Sequence, residues 1–377
     1  MSRSAPLRAS YLDYNATAPV KPAVIEAMVE ALGATGNASS VHHAGRAARR
    51  MLERAREAVA GLVAAAPDAV VFTSGGTEAN NQVLGAIGSR CLVSAIEHDS
   101  VLAAAPGAER LPVDGEGRIQ LARLAERLAV VEPALVSVML ANNETGVIQP
   151  VAEVAELAHR HGALVHCDAV QAAGKLPIDL RALGVDFLTL SAHKLGGPQG
   201  VGALVLGEGI EPAALLQGGG QERRWRPGTE NLPGIVGFGR AAGLAQEDRG
   251  WRARTGALRD RLEAEVLAAA PAARVYGRGA ERLANTSCLG MPGVGNQTQL
   301  IAFDLAGIAV STGSACSSGK VGPSHVLAAM GIEPGEAASA IRVSLGWAST
   351  ALDVDRFVAA WIALHERKSG HARAASA

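Results

Sequence analysis

DFLTLSAHKLGGPQG, residues 186–200, reads as an apolar strand that runs through Ser191, Ala192 and His193 to a lysine, Lys194, and is then stopped by a glycine–proline loop. A lysine at the end of a strand is most often a solvated surface charge. Its meaning therefore depends on what the neighbouring segments bring to the same place.

Outward from this stretch the pattern repeats. Between residues 70 and 206, short β-branched or leucine-rich runs (VVFT, CLVSAIEH, LVSVML, LVHCDAV, DFLTLSAHK, VGALVL) alternate with helical stretches such as EANNQVLGAIG and VAEVAELAHRHG. This alternation predicts βαβ units and an α/β fold, with a mostly parallel mixed sheet between helices. Ligands of such sheets bind beyond the carboxyl ends of the strands, so the residue after each run is the one to inspect.

The chain has 377 residues, more than one core usually accommodates, which predicts a large domain and a smaller one. The expected division is 16–250 for the large domain and 1–15 with 251–377 for a smaller α+β domain. The charged stretch EDRGWRARTGALRDRLEAEVLAAA reads as one helix joining them. ARVYG, NTSCLGM, IAFDLAGIAVST and AIRVSLG supply its layer, followed by a helix over DVDRFVAAWIALHERK and a frayed end.

A hydrophobic fraction of 48%, a charged fraction of 19% and a net charge of −1 describe a globular chain without a basic field for nucleic acid or an anionic membrane surface. A small-molecule substrate is expected. The N-terminal MSRSAPLRASYLDY lacks the apolar run of a signal peptide, and no window approaches a membrane span, which predicts a cytoplasmic protein. Cys91, Cys167, Cys288 and Cys316 show no CxxC spacing, against a metal cluster or a disulfide framework.

Three strand ends complement Lys194. SGGTEANN is a glycine-rich turn opening a helix, so the backbone N–H groups around Gly76 and Thr77 form an anion site, although a plain turn capped by Thr77 reads equally well. LVHCDAVQ places His166 and Asp168 on one face, with Gln171 just beyond. A metal pair there lacks a third ligand, so no metal is expected; a carboxylate at a strand end also suits a cationic ring nitrogen. Amine, carboxylate and anion site together match the needs of pyridoxal 5′-phosphate. His98 could stack on its ring or move protons, or merely cap a helix, and Asn142 in ANNETG lies beside a turn.

Taken in order, YLDYNATAPV, TSGGTEANN, EHDSV, NNETGVIQP, HCDAVQAAGKLPIDL, LSAHKLGGPQGVGAL, GGGQERRWRPGTENLPGIVG, STGSACSSGK and IRVSLG resemble the NifS/IscS group of cysteine desulfurases, fold-type I pyridoxal-phosphate enzymes of the class V aminotransferase type. The resemblance implies that Lys194 carries the cofactor and Asp168 pairs with its ring nitrogen. It also implies that Gln171 and Asn142 contact ring substituents, that His98 stacks on the ring, and that Thr77, Ser191 and His193 meet the phosphate. Thr229 would reach the phosphate of a neighbouring subunit, making a homodimer with shared sites.

Arg342 matches the residue that clamps the carboxylate of L-cysteine. Cys316 matches the one that takes the sulfur as a persulfide and passes it to an acceptor such as an iron–sulfur scaffold; glycine and serine around it would give the reach this journey needs. An aminotransferase or selenocysteine lyase would share Lys194 and Asp168, and a sulfur-relay protein with a decayed site would need neither.

Overall fold

The computed structural model describes residues 9–87, 90–248, 250–313 and 323–375. Cys316 lies outside them. The chain begins with β1 (Ser10–Tyr11) and two helices, α1 (Pro22–Gly33) and α2 (His43–Leu62). The sheet-building part then runs β2 (Val70–Thr73), α3 (Gly76–Ile87), β3 (Cys91–Ser94), α4 (Asp99–Leu102), β4 (Glu109–Leu111), α5 (Leu121–Leu128), β5 (Leu135–Ser137), α6 (Val151–Arg160), β6 (Leu164–Asp168), α7 (Leu180–Leu183), β7 (Phe187–Ser191) and β8 (Gly202–Leu206).

These seven strands, β2 to β8, form one sheet in the order β2-β8-β7-β6-β5-β3-β4. Only β8 runs against the others, pairing antiparallel with both β2 and β7. Alternate residues enter opposite cores. Val70, Phe72, Val136, Val165 and Val205 pack on one side, whereas Val71, Leu135, Leu204 and Leu206 pack on the other. Both faces of the sheet are therefore buried, as expected of a largely parallel sheet covered by helices.

On the first side α2 lies against α8 (Leu232–Glu247). Leu52, Ala55, Val59 and Ala60 recur at helical spacing on its buried face. The crossing is close because Gly239 has no side chain; a Cβ there would sit 2.5 Å from Ala55 Cα.

The remaining elements are α9 (Trp251–Ala269), β9 (Arg274–Val275), β10 (Thr286–Gly290), α10 (Asn296–Leu305), β11 (Ile308–Ala309), α11 (His325–Ala329), α12 (Pro334–Ala337), β12 (Ala340–Ser344) and α13 (Ala351–Ala375). Antiparallel strands in the order β12-β10-β9 pack with α9, α10 and α13 around Leu262, Phe303, Ile341, Phe357 and Trp361. Leu12 joins this core, and β1 pairs with β11, so the N-terminal strand is stitched to the C-terminal elements.

The charged stretch expected to be a helix forms one over Trp251–Ala269, and its first residues depart from it. α8 ends at Glu247, and Asp248 leaves the helix at φ −84°, ψ 69°, its carboxylate held by Arg254 at 2.7 Å before α9 begins. Among the described residues, no helix is long and apolar enough to cross a membrane.

Candidate active site

An open cleft with an empty volume of about 740 Å³ lies at the carboxyl ends of β6 and β7, at the N-terminus of α3. Its walls include Gly76, Thr77, His98, Asp168, Gln171, Ser191, His193 and Lys194, so eight side chains or backbone positions singled out in the sequence converge there. The glycine-rich turn fits tightly over β8: a Cβ at Gly202 would sit 2.7 Å from Gly75 Cα. Glu78 folds back from the first turn of α3 to accept from the Ser74 N–H at 2.9 Å. It also pairs with Arg226 at 2.9 Å, tying the 217–230 loop to the mouth of the cleft.

Lys194 sits in a short helical turn just past β7, and its Nζ donates to the carbonyls of Asn15 and Ala16 at 2.7 and 2.8 Å. Asn15 is wholly buried and is a hub. Its carbonyl also accepts from Gln171 Nε2 at 2.9 Å, and its Oδ1 accepts from Lys175 Nζ at 3.0 Å and Asn285 Nδ2 at 3.0 Å. Next to Lys194, His193 contacts Thr17 Oγ1 at 3.2 Å. Burial, and then the charges of Lys194 and Lys175, lower its pKa to about 4, so this ring is neutral at physiological pH.

Asp168 ends β6 with both carboxylate oxygens engaged. Oδ1 accepts from Val170 N at 2.9 Å and Oδ2 from Asn80 Nδ2 at 2.8 Å. Asn80 also donates to Ser100 Oγ at 2.9 Å, and its own Oδ1 is a buried acceptor without a partner. His98 both caps α4 and lines the cleft, so its two readings coexist. Its Nδ1 accepts from Ser100 N at 3.1 Å and lies 2.8 Å from Ser100 Oγ, which leaves the ring proton on Nε2.

Asn142, Arg342 and Thr229 do not line this cleft. Asn142 is turned away from the cleft. Its Nδ2 donates to Ile96 O at 3.1 Å, and its Oδ1 accepts from the N–H groups of Glu144 and Thr145, so the amide closes the turn; Asn143, one residue on, lines the cleft instead. Arg342, on β12, is 0% exposed and lies outside the cleft wall, bonded to Asp13 Oδ1 at 2.6 Å and Asn143 O at 3.1 Å. It thus stands directly behind a lining residue. Thr229 is exposed and does not line the cleft of its own chain. Cys316 is outside the described residues, but the segment leading to it is anchored at Arg342, whose N–H donates to Ser311 O at 2.6 Å.

His166 and Asp168 do not act together. The His166 ring spans Ser137 Oγ (2.8 Å) and Thr189 Oγ1 (3.0 Å) across three strands, and full burial lowers its pKa to about 4. Cys91, Cys167 and Cys288 are buried, and burial drives the thiol of each upward, Cys91 to about 11. They are core residues held as thiols. Asn15, Asn80, Ser100, Asn143 and Lys175 had no signal in strand periodicity; all five sat inside quoted segments, YLDYNATAPV, TSGGTEANN, EHDSV, NNETGVIQP and HCDAVQAAGKLPIDL, without being singled out.

Residues 10–357 match the model of the aminotransferase class-V family. The chain belongs to that family, and within it to the cysteine desulfurase group. It is 47% identical over 364 residues to a cysteine desulfurase of Cereibacter sphaeroides, covering 92% of this chain and 93% of the relative. It is 41% identical to an IscS-like cysteine desulfurase of Mycobacterium tuberculosis, covering 92% and 93%. The solved structure of a NifS-like protein from Rickettsia africae superposes with a TM-score of 0.88 at 35% identity, covering 95% of this chain and 99% of that one. A structure described as SspA in complex with cysteine matches with a TM-score of 0.76 at 30% identity, covering 89% and 98%.

Proposed function

We propose that this chain binds pyridoxal 5′-phosphate in the cleft and converts L-cysteine to L-alanine, leaving the sulfur as a persulfide on Cys316. The observation that carries the reading is the meeting in one cleft of a buried-end lysine, a carboxylate braced by Asn80, and the N-terminus of α3. This donor set fits the cofactor. Lys194 offers the amine for its aldehyde, Asp168 the counter-charge for its ring nitrogen, and Gly76, Thr77, Ser191 and His193 neutral N–H and hydroxyl or imidazole groups for its phosphate. The buried, unpartnered Oδ1 of Asn80 and the side chain of Asn143 add polar contacts at the same wall.

When bound, the cofactor would supply an aldehyde for covalent capture of the substrate amine and a ring able to store an electron pair. The chain's residues do the rest. Lys194 would take the Cα proton of cysteine at Nζ. Asp168, aimed by Asn80 and the Val170 N–H, would face the ring nitrogen as its counter-charge. Arg342 binds the substrate carboxylate; as it already bonds Asp13, this clamp works beside that pair or exchanges it.

Cys316 attacks the substrate sulfur as a thiolate: the Cβ–S bond breaks and an S–S bond forms. The electrons given up by the transferred sulfur reduce Cβ, which leaves as the methyl group of alanine once protonated, so no external oxidant is required. Two copies of the chain share their sites through Thr229, and an acceptor protein such as an iron–sulfur scaffold then takes the sulfur. We take 16–250 as the cofactor domain and 1–15 with 251–377 as the domain that bears the cysteine.

Two measurements test the reading. Borohydride reduction of cofactor-loaded protein followed by peptide mass spectrometry should label Lys194, and exposure to L-cysteine should add one sulfur at Cys316. Cys316→Ala should keep the yellow cofactor yet form no alanine; alanine production at the wild-type rate would remove that cysteine from the mechanism.

A further inference from the structure

Ser100 has no part in the chemistry above, yet two walls of the cleft meet at it. It is buried in the first turn of α4 and lines the cleft together with His98 and Asn80. Asn80 Nδ2 donates to Asp168 Oδ2 at 2.8 Å and to Ser100 Oγ at 2.9 Å, which uses both hydrogens of the amide. Ser100 Oγ lies 2.8 Å from His98 Nδ1, and Ser100 N donates to the same ring nitrogen at 3.1 Å. Asp168, at the end of β6, is thereby joined to His98, which follows β3, through two side chains.

Each link in this chain has one sense. A backbone N–H can only donate, so His98 Nδ1 is bare and accepts from Ser100 N. The amide nitrogen of Asn80 can only donate as well, so Ser100 Oγ accepts there and turns its own hydrogen to His98 Nδ1. The imidazole therefore carries its proton on Nε2, the nitrogen not spent on the cap of α4. A ring that already holds a proton on Nε2 can take another only at Nδ1. A proton there would set one N–H against another across 3.1 Å and undo the cap.

We propose that Ser100 is a positioning residue: it holds His98 in the Nε2–H form with Nδ1 sealed and, through Asn80, ties that ring to the Asp168 carboxylate. His98 then meets the cofactor as a hydrogen-bond donor and stacking partner, not as a base, and proton removal is left to Lys194. This rests on the cleft being the pyridoxal-phosphate site.

The first test uses the full chain labelled with ¹⁵N-histidine, without and then with pyridoxal phosphate, and long-range ¹H–¹⁵N NMR. His98→Gln, by removing its signals, assigns them. Wild type at neutral pH should show a bare Nδ1 and a protonated Nε2; a proton on Nδ1 would overturn the proposal. In Ser100→Ala the Nδ1 signal should move to higher frequency, as a bare nitrogen does on losing a donor, and Ser100→Thr, which keeps the hydroxyl, should restore it. A signal unmoved by Ser100→Ala would also overturn the proposal. The second test is cofactor retention. Ser100→Ala should raise the dissociation constant for pyridoxal phosphate about three- to tenfold, the worth of one hydrogen bond, and by less in an Asn80→Ala background. An equal rise in both backgrounds would break the link to Asp168. If the variants do not fold, the wild-type tautomer decides. Borohydride labelling separates the two levels, because absence of label at Lys194 in wild type defeats the functional reading and leaves the tautomer result standing.

Discussion

Asn80 Nδ2 donates to Asp168 Oδ2 at 2.8 Å, so the amide that α3 carries one turn past the glycine-rich loop fixes the carboxylate at the end of β6. The bond joins the two walls of the cleft. It leaves Asp168 a single orientation, with Val170 N on the other oxygen.

Asn80→Ala should therefore weaken cofactor retention, by freeing Asp168 and by removing the polar contact that Asn80 itself offers at the cleft wall. A hydrogen bond to a charged group contributes roughly 1.5–3 kcal/mol, so the dissociation constant for pyridoxal phosphate should rise about tenfold or more. Equilibrium dialysis against the cofactor measures it; unchanged retention would show that Val170 N alone orients Asp168.

Arg342 is fully buried, and Asp13 is the carboxylate bonded to it. Asp13→Ala removes this charge-assisted bond at 2.6 Å, for which the cost is about 1.5–3 kcal/mol, read as a lower urea midpoint. Arg342→Gln should keep the cofactor band while raising KM for L-cysteine at least tenfold. A KM equal to wild type would end its role as the carboxylate clamp.

Glu222 binds Arg56 through both oxygens, at 2.6 and 2.8 Å, and accepts from Phe72 N at 2.9 Å, although its backbone adopts φ 42°. It nails the loop that bears Thr229 to the edge of the sheet. Glu222→Ala should destabilise the fold by about 3–5 kcal/mol, because Arg56 is left buried without its main partner. Thermal unfolding measures this; a variant that melts like wild type contradicts it.

His166 is neutral in the folded protein, its pKa lowered from 6.5 to about 4, whereas in the unfolded chain it takes a proton near pH 6.5. Its contribution to stability is complete above pH 6.5 and is lost as the pH falls toward 4, where the unfolded chain binds the extra proton. Urea midpoints should drop across that window and drop less steeply in His166→Gln. Parallel curves would assign the acid sensitivity to other groups.

Gly313 lies where a Cβ would meet the Glu144 carboxylate, itself bonded by Ser324 Oγ at 2.6 Å on the far side of the Cys316 segment. Gly313→Ala must displace one or the other. Persulfide formation, followed by mass spectrometry after addition of cysteine, should slow about tenfold while the cofactor spectrum stays unchanged; a wild-type rate would dismiss the contact.

The sequence by itself carried the strand periodicity, and with it the α/β architecture and the residues that end β6 and β7. Asp168, Gln171, Ser191, His193 and Lys194 were legible because a parallel sheet delivers its strand ends to one edge, whatever the details of packing. Only the tertiary structure decided which of two adjacent asparagines faces the cleft, because that depends on the turn in which Asn142 spends its amide. It alone joined Asn15 to Lys194 and Asp13 to Arg342, pairs 179 and 329 residues apart. Side-chain direction and long-range hydrogen bonds arise from packing between elements, and local spacing holds no record of them.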